Sequence, residues 1–222
     1  MPPDVDAMKQ SFVRLLEQHR VAPEDAHSVF DLLAAAYRSP DRHYHTLEHL
    51  DEMFRVAGRL AAITDDLRTV HLAIWFHDAV YDSRAKDSES RSADLTVHLL
   101  GPIGVPRSEL ERVVRLILTT SHIANPQPPG DRETALLLDA DLAILGSPPD
   151  RYSRYAADIR AEYSWVPEAD YRKGRAAVLE QFLARPRLFW NDALHAECDA
   201  QARANLRAEV ANLASGWAPL SR

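Results

Sequence analysis

Apolar residues recur along this chain at the three-to-four-residue spacing of helices that bury one face. Phe12, Leu15, Leu16 and His19 form a first stripe. A second opens at Pro23 and runs through Val29, Leu32, Leu33 and Tyr37 until Ser39-Pro40-Asp41 ends it. A third helix is predicted from about Thr46 to Ile63, with Leu50, Met53, Phe54, Ala57 and Leu60 on one side. The fourth, from about Leu67 to Tyr81, contains Leu72-Ala-Ile-Trp-Phe76, apolar nearly all round, which predicts a central and buried helix. Further helices are expected over Ser88–Leu99, Arg107–His122, Arg132–Leu145, Arg151–Tyr163, Glu168–Leu183 and Asp192–Leu213.

Strand-type alternation bounded by turn dipeptides is absent, and the fourteen prolines fall mostly between the periodic stretches. The pattern predicts one all-α domain over residues 1–222, with the last third, about 150–215, wrapping the first two. The longest expected loop, Ala124–Gly130, would join two helices or lie over a pocket.

Hydrophobic residues at 46% and charged residues at 27% are an ordinary folded balance. A net charge of −7 gives no global positive field, so neither a nucleic-acid polymer nor a membrane surface is an expected partner. A local basic pocket for a small phosphate remains compatible with it. The single cysteine, Cys198, excludes an internal disulfide framework and a cysteine-based zinc site, and fits a cytoplasmic location. The first residues have neither the basic nor the apolar region of a signal peptide, and no apolar run approaches the ~18 residues of a membrane span.

Three polar clusters interrupt the apolar pattern. Arg42-His-Tyr-His-Thr-Leu-Glu-His49 stands at the start of the third helix, where His45 and His49 are expected on one helical face. His77-Asp78 lies inside or just after the most buried helix, with Asp82 one turn on. Asp139-Ala-Asp141 lies within leucine-rich sequence. Carboxylates in apolar surroundings need partners or a metal, and imidazole with carboxylate suits one divalent ion: Mn²⁺, Fe²⁺, Zn²⁺, Co²⁺ or Mg²⁺.

The ordered pattern His49 … His77-Asp78 … Asp141, over roughly residues 40 to 146, resembles the HD-domain superfamily of metal-dependent phosphohydrolases. The resemblance implies an HD-domain-like helical bundle with additional C-terminal helices, and His49, His77, Asp78 and Asp141 as ligands of one ion. It implies hydrolysis of a phosphate ester or anhydride, in a nucleotide or related small phosphorylated metabolite, by a metal-activated water. The superfamily's Ala-Asp pair favours Asp141 over Asp139 as last ligand, leaving Asp139 behind the ligands or on the surface. In the cyclic-nucleotide phosphodiesterase branch the histidine four before the first ligand protonates the leaving group; here that is His45. In the alarmone-hydrolase branch acids one turn after His-Asp position the water; only Asp82 matches, because Tyr81 stands where another acid belongs. His122 mirrors an extra histidine of two-metal members, but their further histidine is missing.

Glu89 is read as a charge at a helix start or a partner of a ligand histidine. Arg42, Arg160 and Arg175 offer guanidinium groups for phosphate, with a solvated helix face as the plain alternative. Two other classes compete. His45-Thr-Leu-Glu-His49 matches the H-x-x-E-H pattern of some metallopeptidases, and a helical regulatory module could bind a metal or ligand without turnover. Nothing in the sequence fixes the oligomeric state, and a homo-oligomer is allowed.

Overall fold

The computed structural model describes residues 3–64, 66–121 and 129–215, and among them the chain forms ten α-helices and no strand. These are α1 (Val5–Glu17), α2 (Pro23–Ala36), α3 (Leu47–Arg59), α4 (Leu67–Phe76), α5 (Ser88–Leu100), α6 (Arg107–Thr119), α7 (Arg132–Leu142), α8 (Pro149–Glu162), α9 (Glu168–Ala184) and α10 (Asp192–Ser215). Short 3₁₀ turns follow α3 at Ala61–Ile63 and α7 at Ala143–Gly146. No described helix is long and apolar enough to cross a membrane.

Local chemistry sets many of the helix starts. Asp4, Thr46, Asp66 and Asp131 each place a side-chain oxygen on a first-turn N–H that has no partner within the helix. Pro23 and Pro149 occupy first-turn positions, where a missing N–H costs nothing. Thr46 is extended and caps α3, so His45 lies before the helix and does not share a helical face with His49, contrary to the spacing argument. The fourth helix stops at Phe76, short of Tyr81, and Asp82 lies in a loop. Leu32 is 56% exposed, because α2 buries Ala26, Val29, Phe30, Leu33 and Ala34 instead.

α4 is central: it packs against α3, α5, α6 and α7. Its Trp75 is the junction of the N-terminal half. Phe12 of α1 and Phe30 of α2 meet it edge-on at 5.2 and 5.6 Å between ring centroids, and Phe54 of α3 lies at 5.1 Å. One apolar cluster continues from there into Leu179, Phe189 and Leu206 of the last third.

Two contacts bind that last third to α7 and the 3₁₀ turn after it. Asp139, expected near the ligands or on the surface, is fully buried and accepts the Trp190 and Asn191 N–H groups at 2.7 and 2.6 Å just before α10. Burial pushes its carboxyl up to about 6 despite these two bonds. Gly146 lets α10 approach closely, since a Cβ there would stand 2.6 Å from the Cys198 Cβ.

Trp75→Ala should lower unfolding free energy by about 3–5 kcal/mol, as expected for truncating a buried aromatic at a junction. Urea denaturation followed by circular dichroism measures this.

Candidate active site

Because α4 ends inside the protein, its last carbonyls need internal donors. All four have one. Ala73 O accepts the His77 N–H at 2.8 Å, and Ile74 O accepts from His77 Nδ1 at 3.0 Å. Trp75 O accepts the Tyr37 hydroxyl at 3.1 Å, and Phe76 O accepts the Ala79 N–H at 3.0 Å. Arg42 then donates to Asp78 O at 2.6 Å and Ala79 O at 2.9 Å, with its guanidinium over the Tyr37 ring. Ser92 Oγ holds both backbone groups of Val80. Residues 77–80 are therefore fixed by their backbone.

The Ile74 bond also sets the chemistry of His77. A carbonyl only accepts, so Nδ1 carries the proton and Nε2 faces the cluster. That Nε2 lies 3.0 Å from Asp78 Oδ2, 3.3 Å from His49 Nε2 and 3.9 Å from Asp141 Oδ1. His49 Nε2 is 3.2 Å from Asp141 Oδ1. Donor atoms of His49, His77 and Asp78 all lie within 4.8 Å of one another, and Asp141 joins from the His49 side. Both histidines are buried, whereas the Asp78 and Asp141 side chains keep 17% and 15% exposure, so the group can be reached from solvent.

Two imidazole nitrogens turned toward each other between carboxylates form a donor set that fits a divalent first-row ion. Without a cation, a proton fills that role. Burial opposes charging His77, but Asp78 first and Asp141 behind it outweigh this and raise its pKa to about 9. Burial likewise opposes the Asp78 carboxylate, yet His77 and His45 hold it well below the usual carboxylate range.

His45 enters from the loop before α3, its Nε2 3.9 Å from Asp78 Oδ2. Its Nδ1 lies 2.7 Å from Oε2 of Glu162, at the end of α8. Glu162 Oε1 accepts three consecutive backbone N–H groups, His43, Tyr44 and His45, at 2.8, 2.8 and 3.0 Å. Tyr81 donates its hydroxyl to Oε2 at 3.0 Å and stacks on the His45 ring at 4.1 Å. Burial disfavours the Glu162 charge, but His45 and the N–H groups outweigh it and bring the pKa down to about 2. The same carboxylate, with Asp78 behind it, overcomes burial of the His45 ring and raises its pKa. The result is a carboxylate–imidazole pair with one ring nitrogen held and the other turned toward the metal-capable group.

Comparison with protein-family models, curated proteins and solved structures found no match to this chain.

Sequence reasoning missed Glu162. Its signal was present: Tyr152, Tyr155 and Ile159 mark the buried face of α8, and Glu162 is the one acid that continues it. Other expected site residues contribute no side chain to the clustered donors. Asp82 is exposed and accepts the Arg84 N–H. Glu89 lies in the first turn of α5, and the Nδ1 it could have held on His77 is taken by Ile74. Arg160 pairs with Glu168 and donates to the Tyr163 and Val166 carbonyls. Arg175 is committed to Glu209 at 2.8 Å. Arg42 serves the backbone of the His-Asp turn. His122 falls outside the described residues.

The sign of the pH dependence follows from the raised His77 pKa. Its ion pair with Asp78 stabilises the metal-free fold fully below about pH 6.5 and is lost as pH rises toward about 9. Chelator-treated protein should therefore lose stability across that window, with His45 contributing in the same direction. His77→Gln should flatten much of the loss, as urea midpoints against pH will measure.

Proposed function

We propose that this protein is an HD-type metal-dependent phosphohydrolase, cleaving a phosphate ester or anhydride of a nucleotide or related small phosphorylated metabolite. One observation carries the reading: His49 of α3, His77-Asp78 after α4 and Asp141 of α7 converge on a single, partly open spot beside His45. These four side chains would hold one divalent ion. When bound, that ion supplies a Lewis acid for a phosphoryl oxygen and lowers the pKa of an adjacent water.

The chain's own groups supply the proton transfer. Glu162 accepts the Nδ1 proton of His45 and fixes the ring, so a second proton sits on Nε2, on the side facing Asp78. Glu162 and Asp78 raise the His45 pKa and so favour a proton on Nε2, from which it can pass to a leaving oxygen. Tyr81 against the ring face and three N–H groups on Glu162 hold the pair in one orientation. The alternative peptidase reading requires Glu48 as base, yet its carboxylate pairs with Arg154 and is not among the clustered donors.

Asp78→Ala should lose bound metal and turnover together in a screen of phosphatase and phosphodiesterase substrates, with metal content read by mass spectrometry. Full activity in metal-free Asp78→Ala protein would sink the mechanism.

His45→Ala should keep its metal while turnover of an alkyl phosphate ester falls by about 10²–10⁴-fold. A nitrophenyl ester, whose leaving group needs no proton, should lose far less. Glu162→Gln should follow the same leaving-group pattern more mildly, and equal losses on both esters would remove the proton-donor role.

A further inference from the structure

Across Tyr81 from His45 lies a polar cavity of about 410 Å³, formed where the loops after α2 and α4 meet the end of α8, with Arg91 of α5 at its side. Arg42, Tyr81 and Glu162 belong both to its wall and to the surroundings of His45. The Tyr81 ring is the partition between the two.

Two cations of the cavity wall, Arg84 and Arg91, have no close carboxylate partner among the described residues. Arg84 is exposed and has no carboxylate partner among the described residues; its guanidinium lies 5.4 Å over the Trp165 ring. Among the described residues Arg91 pairs with Asp87, at 4.0 Å, with both side chains more than half exposed. Such a pair is screened and weak, so its charge is available to a ligand. Trp165 is 46% exposed, yet it is held in place: its Nε1 donates to Ser83 Oγ at 2.8 Å, and Ser83 donates to Glu162 O at 2.9 Å. The remaining wall offers the exposed carboxylates Asp41 and Asp82.

Guanidinium groups recognise phosphate through paired N–H donors, and carboxylates accept from hydroxyls. We propose that this cavity binds a phosphorylated sugar unit at the non-reacting end of the substrate. Arg84 and Arg91 hold its phosphate, and Asp41 and Asp82 take its hydroxyls. The role as a substrate subsite rests on the phosphohydrolase reading; the choice of ligand rests on the cavity. Together they specify a substrate with two phosphates on a sugar or nucleoside, one at the metal-capable group and one anchored across Tyr81.

Metal-free full-length protein and its Asp78→Asn variant are titrated with ribose 5-phosphate, by calorimetry and tryptophan emission. Saturable binding is expected in both, with the emission change lost in Trp165→Phe. Arg84→Ala/Arg91→Ala should weaken binding by about tenfold or more, and these exposed positions should leave thermal stability unchanged. In the metal-loaded protein the double variant should raise KM for a nucleoside bisphosphate by about tenfold, leaving its kcat and the KM of the monophosphate unchanged. Absent binding, binding that survives the double variant but vanishes in Asp78→Asn, or equal KM changes for both substrates would each overturn the subsite. None of these results would touch the phosphohydrolase reading, which fails instead on retained turnover in metal-free Asp78→Ala.

Discussion

Everything near the candidate site depends on how α4 comes to an end. The helix is apolar and buried at every position from Leu72 to Phe76, so its C-terminal carbonyls emerge in the core, where water cannot solvate them. Each needs a fixed donor, and the donors come from the turn itself, from Tyr37 and, one step later, from Arg42. That requirement determines the path of residues 77–80. It also assigns the His77 ring its tautomer, because Nδ1 is one of the donors. A metal-capable nitrogen is thus oriented by the same bond that satisfies the helix end.

A second constraint acts from the far end of the chain. Glu162 is buried and ionised, a state that needs several hydrogen bonds to be tolerable. The three consecutive N–H groups before α3 provide them, so the loop bearing His45 is shaped around that carboxylate. α8 therefore takes part in the site rather than merely covering it. Ser83 and Trp165 extend the same connection into the neighbouring cavity.

α7 divides its two aspartates in a related way. Asp139 and Asp141 are two positions apart on a helix, hence on nearly opposite faces. One faces α10's lead-in and accepts two buried N–H groups; the other meets His49. A single turn of helix thereby links the packing of the last third to the metal-capable group.

The sequence by itself determined what short-range patterns encode. Periodicity located the helices, and apolar residues around the whole of 72–76 marked α4 as buried, because burial on every side demands it. His49, His77, Asp78 and Asp141 were singled out by three polar clusters in the apolar pattern together with the resemblance to a known metal-binding arrangement. The tertiary structure decided how the pieces end and meet. Thr46 as a cap put His45 outside α3, and internal donors stopped α4 before Tyr81. Glu162 reaches His45 across 117 positions and Arg42 reaches Asp78 across 36, separations at which no spacing along the chain can signal a contact. Such partners are selected by the burial of charge and backbone, which exists only once the helices have packed.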